Sequence, residues 1–251
     1  MLIIDSWCGR LGNNILQIIR AIHYGLVNNH SNIILPFHKF ITKKEITLND
    51  ILDKNNTVKN NFFYLNHFNM EDPEPYIMRN YFQKYISPIF KVQPIINDIE
   101  DTDTLYIHFR GGDIFSKHPH KAYVQPPLSY YMTIMKDYKN IKLICEDKSN
   151  PCINELLKQE NVEYRRNSLE DDLKMLGSAK NIVIGFGTFG FLLYLMNTNI
   201  TNLYLPKYFV DELPKGEWGS NIKVTIVELP GYIKVGEWIN SAQQRKLMLE
   251  Y

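Results

Sequence analysis

The chain has 251 residues, of which 45% are hydrophobic and 22% are charged, and its net charge is +1. These values are typical of a globular protein with one large or two small domains. A general nucleic-acid binder would carry a strong basic excess, so only a local basic pocket remains possible. The three cysteines are too few and too scattered for a disulfide framework, and we expect reduced thiols.

The sequence contains no pattern for export or for membrane insertion. Residues 1–5 have no basic segment and no long apolar run, which argues against a signal peptide. No window of about 18 uninterrupted apolar residues is present, so we predict no transmembrane segment. We therefore expect a cytoplasmic protein.

The start of the chain predicts the opening of a parallel α/β sheet. A strand at Leu2–Ile4 leads into a loop with two glycines, after which apolar residues recur at helical spacing to about Val27. Asn13 or Asn14 is expected to cap this helix, and a strand at Ile33–Leu35 follows it. The loop lacks the glycine pattern and the lysine of the standard nucleotide-binding loops.

The middle of the chain is less regular. We predict a strand at Phe62–Leu65 and a helical piece at Asn80–Tyr85, and we interpret Pro94–Thr104 as the approach to a second domain. From there strands and helices alternate again. The predicted strands lie at residues 105–107, 141–145, 162–164, 181–184 and 203–205, and the predicted helices at 128–138, 153–160, 170–176 and 191–196. The two predicted domains are residues 1–100 and 101–251.

The most informative stretch follows the strand at Leu105–Ile107. It consists of His108, Phe109, Arg110, two glycines and Asp113. Loops at the carboxyl ends of strands are where open α/β sheets bind ligands, and an arginine offers a planar fork of donors suited to phosphate. The stretch therefore predicts a phosphate-binding loop, with an ordinary surface turn as the alternative. A long proline-rich loop, residues 114–127, comes next and is expected to be functional.

Three stretches together resemble the α-1,2-fucosyltransferase family. Gly9–Asn14 is similar to the family's N-terminal Gly-Arg-x-Gly-Asn-Gln loop, and Ile107–Asp113 is similar to its His-x-Arg-Arg-Gly-Asp motif. Asp172–Phe191 is similar to its third motif, in which a helix and a strand lead to a Gly-Thr-Phe-Gly turn. The motifs occur in the family's order across roughly the whole chain.

The resemblance implies a GT-B-like fold, with two Rossmann-type domains facing a cleft. The donor GDP-fucose would bind mainly to the second domain, and the glycan acceptor would approach from the first. The reaction would be inverting and metal-independent, with no further cofactor. The tripeptide Asp101-Thr102-Asp103 formally fits a metal-binding pattern, but we interpret it as a solvated turn.

The resemblance also implies roles for single residues. Arg110 would grip the donor's β-phosphate, while His108 and Asp172 would hold guanine. Asn13 would lie close to the transferred sugar and the acceptor. In the third motif, the turn would hold the phosphates through its members Gly187, Thr188 and Phe189.

Two features leave the donor and the general base open. The family's second motif arginine is Gly111 here, which removes a positive charge that Lys117 or Arg10 could replace, or which signals a different donor. For the general base we favour His118, because histidine changes its charge near neutral pH. The other candidates for the base are His120, Asp113 and Glu146. Both histidines could instead only shape the proline-rich loop, and the chain could be a noncatalytic glycan- or nucleotide-binding relic.

Overall fold

The computed structural model describes residues 1–49, 56–94 and 102–251. The chain divides into two compact units. The first comprises Met1–Gln93, Phe191–Met196 and Pro214–Gly219, and the second comprises Pro94–Gly190, Asn197–Leu213 and Ser220–Tyr251. The domain boundary that we predicted, between residues 100 and 101, lies outside the described residues.

The first unit is built on a mixed sheet of four short strands. They are β1 (Leu2–Ile4), β2 (Asn32–Ile34), β3 (Glu45–Thr47) and β4 (Val58–Asn60), in the order β3-β2-β1-β4. The central strand β1 pairs in parallel with β2 and β4, whereas β3 is antiparallel to β2. Helix α1 (Leu11–Val27) follows β1 and buries one apolar face, made of Ile15, Ile18, Ile19 and Ile22.

Helix α1 begins earlier than the sequence predicted, and its expected cap is wrong. Arg10 occupies the cap position, so Asn13 and Asn14 lie in the first turn of the helix. The side chain of Asn14 donates to the carbonyl oxygen of Cys8 at 3.1 Å. Gly9, with φ at +71°, allows the loop to turn into the helix before either asparagine is reached.

The predicted strand at Phe62–Leu65 is also wrong. Phe62 has φ at +53°, which an extended strand does not permit, and Leu65–Phe68 form a short 3₁₀ helix. The predicted helical piece at 80–85 belongs to a longer helical stretch. This stretch consists of α2 (Pro75–Tyr81), a π-helical turn (Phe82–Ile86) and a 3₁₀ turn (Ser87–Ile89).

The second unit contains a six-stranded sheet in which every pairing is parallel. Its strands are β5 (Thr104–His108), β6 (Asn140–Ile144), β7 (Val162–Arg165), β8 (Asn181–Ile184), β9 (Asn202–Pro206) and β10 (Lys223–Val227). The predicted α/β class is thus confirmed, and the sheet is Rossmann-like. The arrangement of two facing Rossmann-type domains stays a prediction.

One α-helix follows each of these strands along the chain, and residues 191–196 of the fourth belong to the first unit. The helices are α3 (Leu128–Met135), α4 (Pro151–Leu156), α5 (Leu169–Leu176), α6 (Thr188–Met196), α7 (Lys207–Val210) and α8 (Ala242–Glu250). The C-terminal helix α8 packs against α3 and α4, and its Met248 is fully buried in the unit's core together with Trp238. Across the described part of the chain, no helix is both long and apolar enough to span a membrane.

The strand order creates one special position in the sheet. The order is β10-β9-β8-β5-β6-β7, so the chain runs outward from β5 to β7 and then returns to form β8 on the other side of β5. Ligands of doubly wound sheets bind outside the carboxyl ends of the strands at such a reversal point. In this unit the reversal lies between β5 and β8.

Candidate functional site

Two of the three motif stretches meet at the reversal point of the second unit. The last residue of β5, His108, is in register with Ile184, the last residue of β8. The Arg110 loop leaves the sheet after β5, and residues 185–187 leave it after β8 and lead directly into α6. Parallel pairing of β5 and β8 therefore brings together stretches that are about 75 residues apart in the chain.

The side chain of Arg110 is held in place from two directions. Its guanidinium carbon lies 3.9 Å from the ring centroid of Tyr123, and its Nη2 is 3.3 Å from Oδ2 of Asp113. The arginine side chain is 18% exposed. A planar cation that is stacked on a ring and paired at one edge is already oriented before it meets a phosphate.

The backbone of Gly187 lies close to the guanidinium of Arg110. Its φ is +116°, and a Cβ atom at this position would lie 2.7 Å from Nη1 of Arg110. Any other residue would strain the backbone and push against the guanidinium. The backbone conformation favours glycine here, and a larger residue would also displace the guanidinium of Arg110.

His108 is a neutral imidazole packed against the start of α6. Its ring centroid is 4.9 Å from that of Phe189. Burial, and then the positive charge of Arg110, lower the pKa of His108 to about 3. At neutral pH the ring thus offers one donor nitrogen and one acceptor nitrogen, which suits recognition of a base edge and does not suit proton storage.

The carboxylate of Asp147, which follows β6, fills the space beside Gly111. Its Oδ2 accepts the backbone N–H of Gly112 at 2.8 Å, and its Oδ1 accepts that of Ser149 at 2.8 Å. Burial alone would raise the pKa of Asp147, but the hydrogen bonds from Ser149 and Gly112 and the charge of Arg166 outweigh it, so the pKa is lowered. An anion therefore fills the space that a side chain at position 111 would need.

Asp172 lies in the first turn of α5, at the same edge of the sheet. Its Oδ1 accepts from Nδ2 of Asn167 at 3.0 Å. Burial is the main reason that the pKa of Asp172 is raised, and the nearby charge of Asp171 adds to it. No hydrogen bond joins Asp172 to His108 in the described parts of the chain, so their shared role in guanine binding stays a prediction.

The proline-rich loop places its two histidines differently. His118 is exposed, and its role as the general base stays a prediction. The ring of His120 lies 4.9 Å from that of Tyr123, the tyrosine that supports Arg110. Tyr123 was not identified as a site residue from the sequence. The signal that could have identified it is an aromatic residue in the stiff loop that follows the arginine motif.

Side-chain amides organise the glycine loop of the first unit, at the carboxyl end of β1. The Oε1 of Gln17 accepts the backbone N–H of Cys8 at 2.8 Å, and its Nε2 donates to the carbonyl of Ser6 at 3.0 Å. Asn13 lies against Gly9, where a Cβ atom would be 2.2 Å from its Nδ2. The role predicted for Asn13 beside sugar and acceptor remains untested.

The structure describes only part of the tripeptide Asp101-Thr102-Asp103, which we interpret as a solvated turn. Asp101 lies outside the described residues, while Asp103 forms an exposed ion pair with Lys139 at 2.5 Å. Lys117, one proposed replacement for the missing arginine, is exposed, and so is Arg10. The replacement of the missing charge by either residue stays a prediction.

Comparisons of the chain with protein-family models, with curated proteins and with solved structures gave no match.

Proposed function

We propose that this chain is an inverting, metal-independent glycosyltransferase that transfers fucose from GDP-fucose to a hydroxyl group of a glycan. The observation that supports this most is the position of Arg110. It is stacked on Tyr123 and paired with Asp113 at the reversal point of a doubly wound sheet. The start of helix α6, which can hold an anion, follows the neighbouring strand β8.

The chemistry requires stabilisation of a leaving diphosphate. When the bond from fucose to the β-phosphate breaks, GDP gains negative charge on its phosphate oxygens. A fixed guanidinium at Arg110 stabilises this charge more in the transition state than in the ground state. Thr188 and Phe189 would contribute the first backbone N–H groups of α6, and Gly187 keeps the approach open.

Recognition of guanine is assigned to His108 and Asp172. A carboxylate can accept from the N1–H and the 2-amino group of guanine, which adenine cannot offer in the same pattern. The neutral ring of His108 can contribute one further hydrogen bond. This pairing would favour GDP over ADP.

The acceptor hydroxyl must lose its proton as it attacks the anomeric carbon on the face opposite GDP. We assign this proton to His118, in the loop that follows the arginine motif. His120 is the alternative, because its ring contacts Tyr123 and thus belongs to the support of Arg110. Replacement of each histidine by glutamine separates the two: loss of transfer, with donor binding retained, identifies the base.

One observation favours a second candidate function. Asp147 occupies the place of the family's second arginine, which favours a transferase with a different nucleotide sugar. The test is release of nucleoside diphosphate and transfer of sugar with GDP-fucose, GDP-mannose and a set of UDP-sugars, using the wild type and Arg110→Ala. Arg110-dependent turnover of GDP-fucose alone supports the proposal, and turnover of another donor supports the second candidate. No turnover with any donor contradicts both.

A further inference from the structure

The carboxylate of Glu146 lies at the same edge of the sheet as Arg110. The proposed function gives it no role in binding the phosphates or the guanine. Glu146 follows β6, the strand beside β5 on the side opposite β8. Its Oε1 would be 2.5 Å from a Cβ atom on Gly112, so it lies directly beside the glycine pair that follows Arg110. The absence of a side chain at Gly112 makes this approach possible.

Glu146 differs from its neighbour Asp147 in what its oxygens contact. Both carboxylate oxygens of Asp147 accept backbone N–H groups. The side chain of Glu146 is exposed, and it accepts no hydrogen bond and forms no ion pair within the described ranges 1–49, 56–94 and 102–251. Asp147 thus fixes the loop, while Glu146 can accept two hydroxyl groups from outside the protein.

The order of strands suggests which hydroxyl groups these are. In doubly wound sheets the phosphates lie at the loop after the first strand, and an acidic residue further along the chain accepts the ribose 2′-hydroxyl. Here the first strand is β5, whose loop carries Arg110, and the next strand is β6, followed by Glu146. The proposed base ligand Asp172 comes after β7, the third strand. A nucleotide laid from β5 towards β7 would place its ribose at β6.

We propose that Glu146 binds the ribose 2′-hydroxyl of the donor nucleotide and thereby selects ribonucleotides over 2′-deoxyribonucleotides. This inference rests on the proposed function, because it assumes a nucleoside diphosphate at Arg110. Hydrogen bonds to charged groups are strong enough to make the loss of one hydroxyl measurable. Asp147 acts here only as a positioning residue for the Gly111–Gly112 turn.

The test is a double-mutant-type cycle, in which the Glu146 side chain is changed in the protein and the 2′-hydroxyl is removed from the ligand. Calorimetry compares GDP with 2′-deoxy-GDP on the wild type, on Glu146→Ala and on Glu146→Gln, with Glu155→Ala as the control. Glu155 is an acidic residue on α4, in the same β6–α4 segment, and pairs with Lys158. We expect the wild type and Glu155→Ala to bind 2′-deoxy-GDP about tenfold or more weakly than GDP. Glu146→Ala should bind both ligands within about twofold of each other.

Each result has a definite meaning. An unchanged preference for GDP in Glu146→Ala and Glu146→Gln overturns the assignment of Glu146 while leaving the proposed function intact. Equal binding of both ligands by the wild type also overturns it. A wild type that binds no nucleoside diphosphate overturns the proposed function, and with it this inference.

Discussion

A Cβ atom on Gly111 would lie 2.6 Å from Oδ1 of Asp147. The carboxylate therefore occupies the space that a side chain at position 111 would need. Because Asp147 accepts two backbone N–H groups, it cannot move away without leaving them unpaired. The missing side chain at Gly111 and the position of Asp147 thus belong to one local arrangement.

An arginine placed at position 111 is expected to destabilise the protein. In Gly111→Arg, the new side chain would displace Asp147 or pair with it, and the N–H groups of Gly112 and Ser149 would lose their acceptor. We expect a loss of about 1–3 kcal/mol in the free energy of unfolding and no gain in GDP affinity. Urea titration and calorimetry measure the two effects, with Gly111→Ala as the control for the Cβ contact alone. Tighter GDP binding by Gly111→Arg would contradict this prediction, because it would mean that an arginine at position 111 reaches the phosphates despite Asp147.

Gly187 offers a test of the contact between the two motif loops. Gly187→Ala should destabilise the protein by about 1–2 kcal/mol through its backbone and should also displace Arg110, whose Nη1 is 2.7 Å from the new atom. Gly236→Ala is the matched control, because Gly236 has φ at +95° and a Cβ atom at this position would meet no other group of the described chain within 4 Å. Thermal unfolding should respond to both changes, and GDP binding only to the first. Equal GDP affinity in the two variants would mean that Gly187 does not position Arg110.

Tyr123 is expected to contribute through its ring alone. Tyr123→Leu removes the stacked face beneath Arg110, so the guanidinium must be ordered when a phosphate binds. We expect GDP affinity to fall about 2- to 30-fold. Tyr123→Phe keeps the ring and should bind GDP like the wild type. If leucine and phenylalanine behave alike in calorimetry, the stacking has no part in binding.

The half-buried imidazole of His108 makes stability depend on pH. Its pKa is lowered from 6.5 to about 3 in the folded protein, so between these values the unfolded chain binds more protons at this site. Its contribution to stability is therefore complete above pH 6.5 and is lost as pH falls towards 3, by at most about 1.4 kcal/mol per pH unit. Urea titrations at pH 7, 6 and 5 should show a shallower decline for His108→Gln than for the wild type. Parallel declines would contradict a depressed pKa.

Local patterns in the sequence were sufficient to predict much of the second unit. The strand at Asn181–Ile184 was predicted with its exact bounds, because four buried residues in a row have no amphipathic alternative. The strand β10 and helix α8 were not predicted. β10 is half-exposed at the sheet's edge, and α8 buries only Met248, so neither shows a clear apolar period.

The contacts within the site could not be predicted in the same way. The pairing of β5 with β8 brings Arg110 to Gly187, and the pairing of β5 with β6 brings Gly111 to Asp147. Both contacts join residues that are distant in the chain, and they depend on the strand order. Motif resemblance pointed to Arg110 and Gly187 separately, but it carried no signal for Tyr123 or Asp147.

The most direct test of the proposed function is calorimetry of GDP, UDP and ADP with the wild type and with Arg110→Ala. We predict that the wild type binds GDP in preference to UDP and ADP, because His108 and Asp172 are assigned to guanine. Arg110→Ala should lose most of the GDP affinity, because the phosphates lose their fixed cation. Preferential binding of UDP, or GDP binding that does not depend on Arg110, would contradict the account.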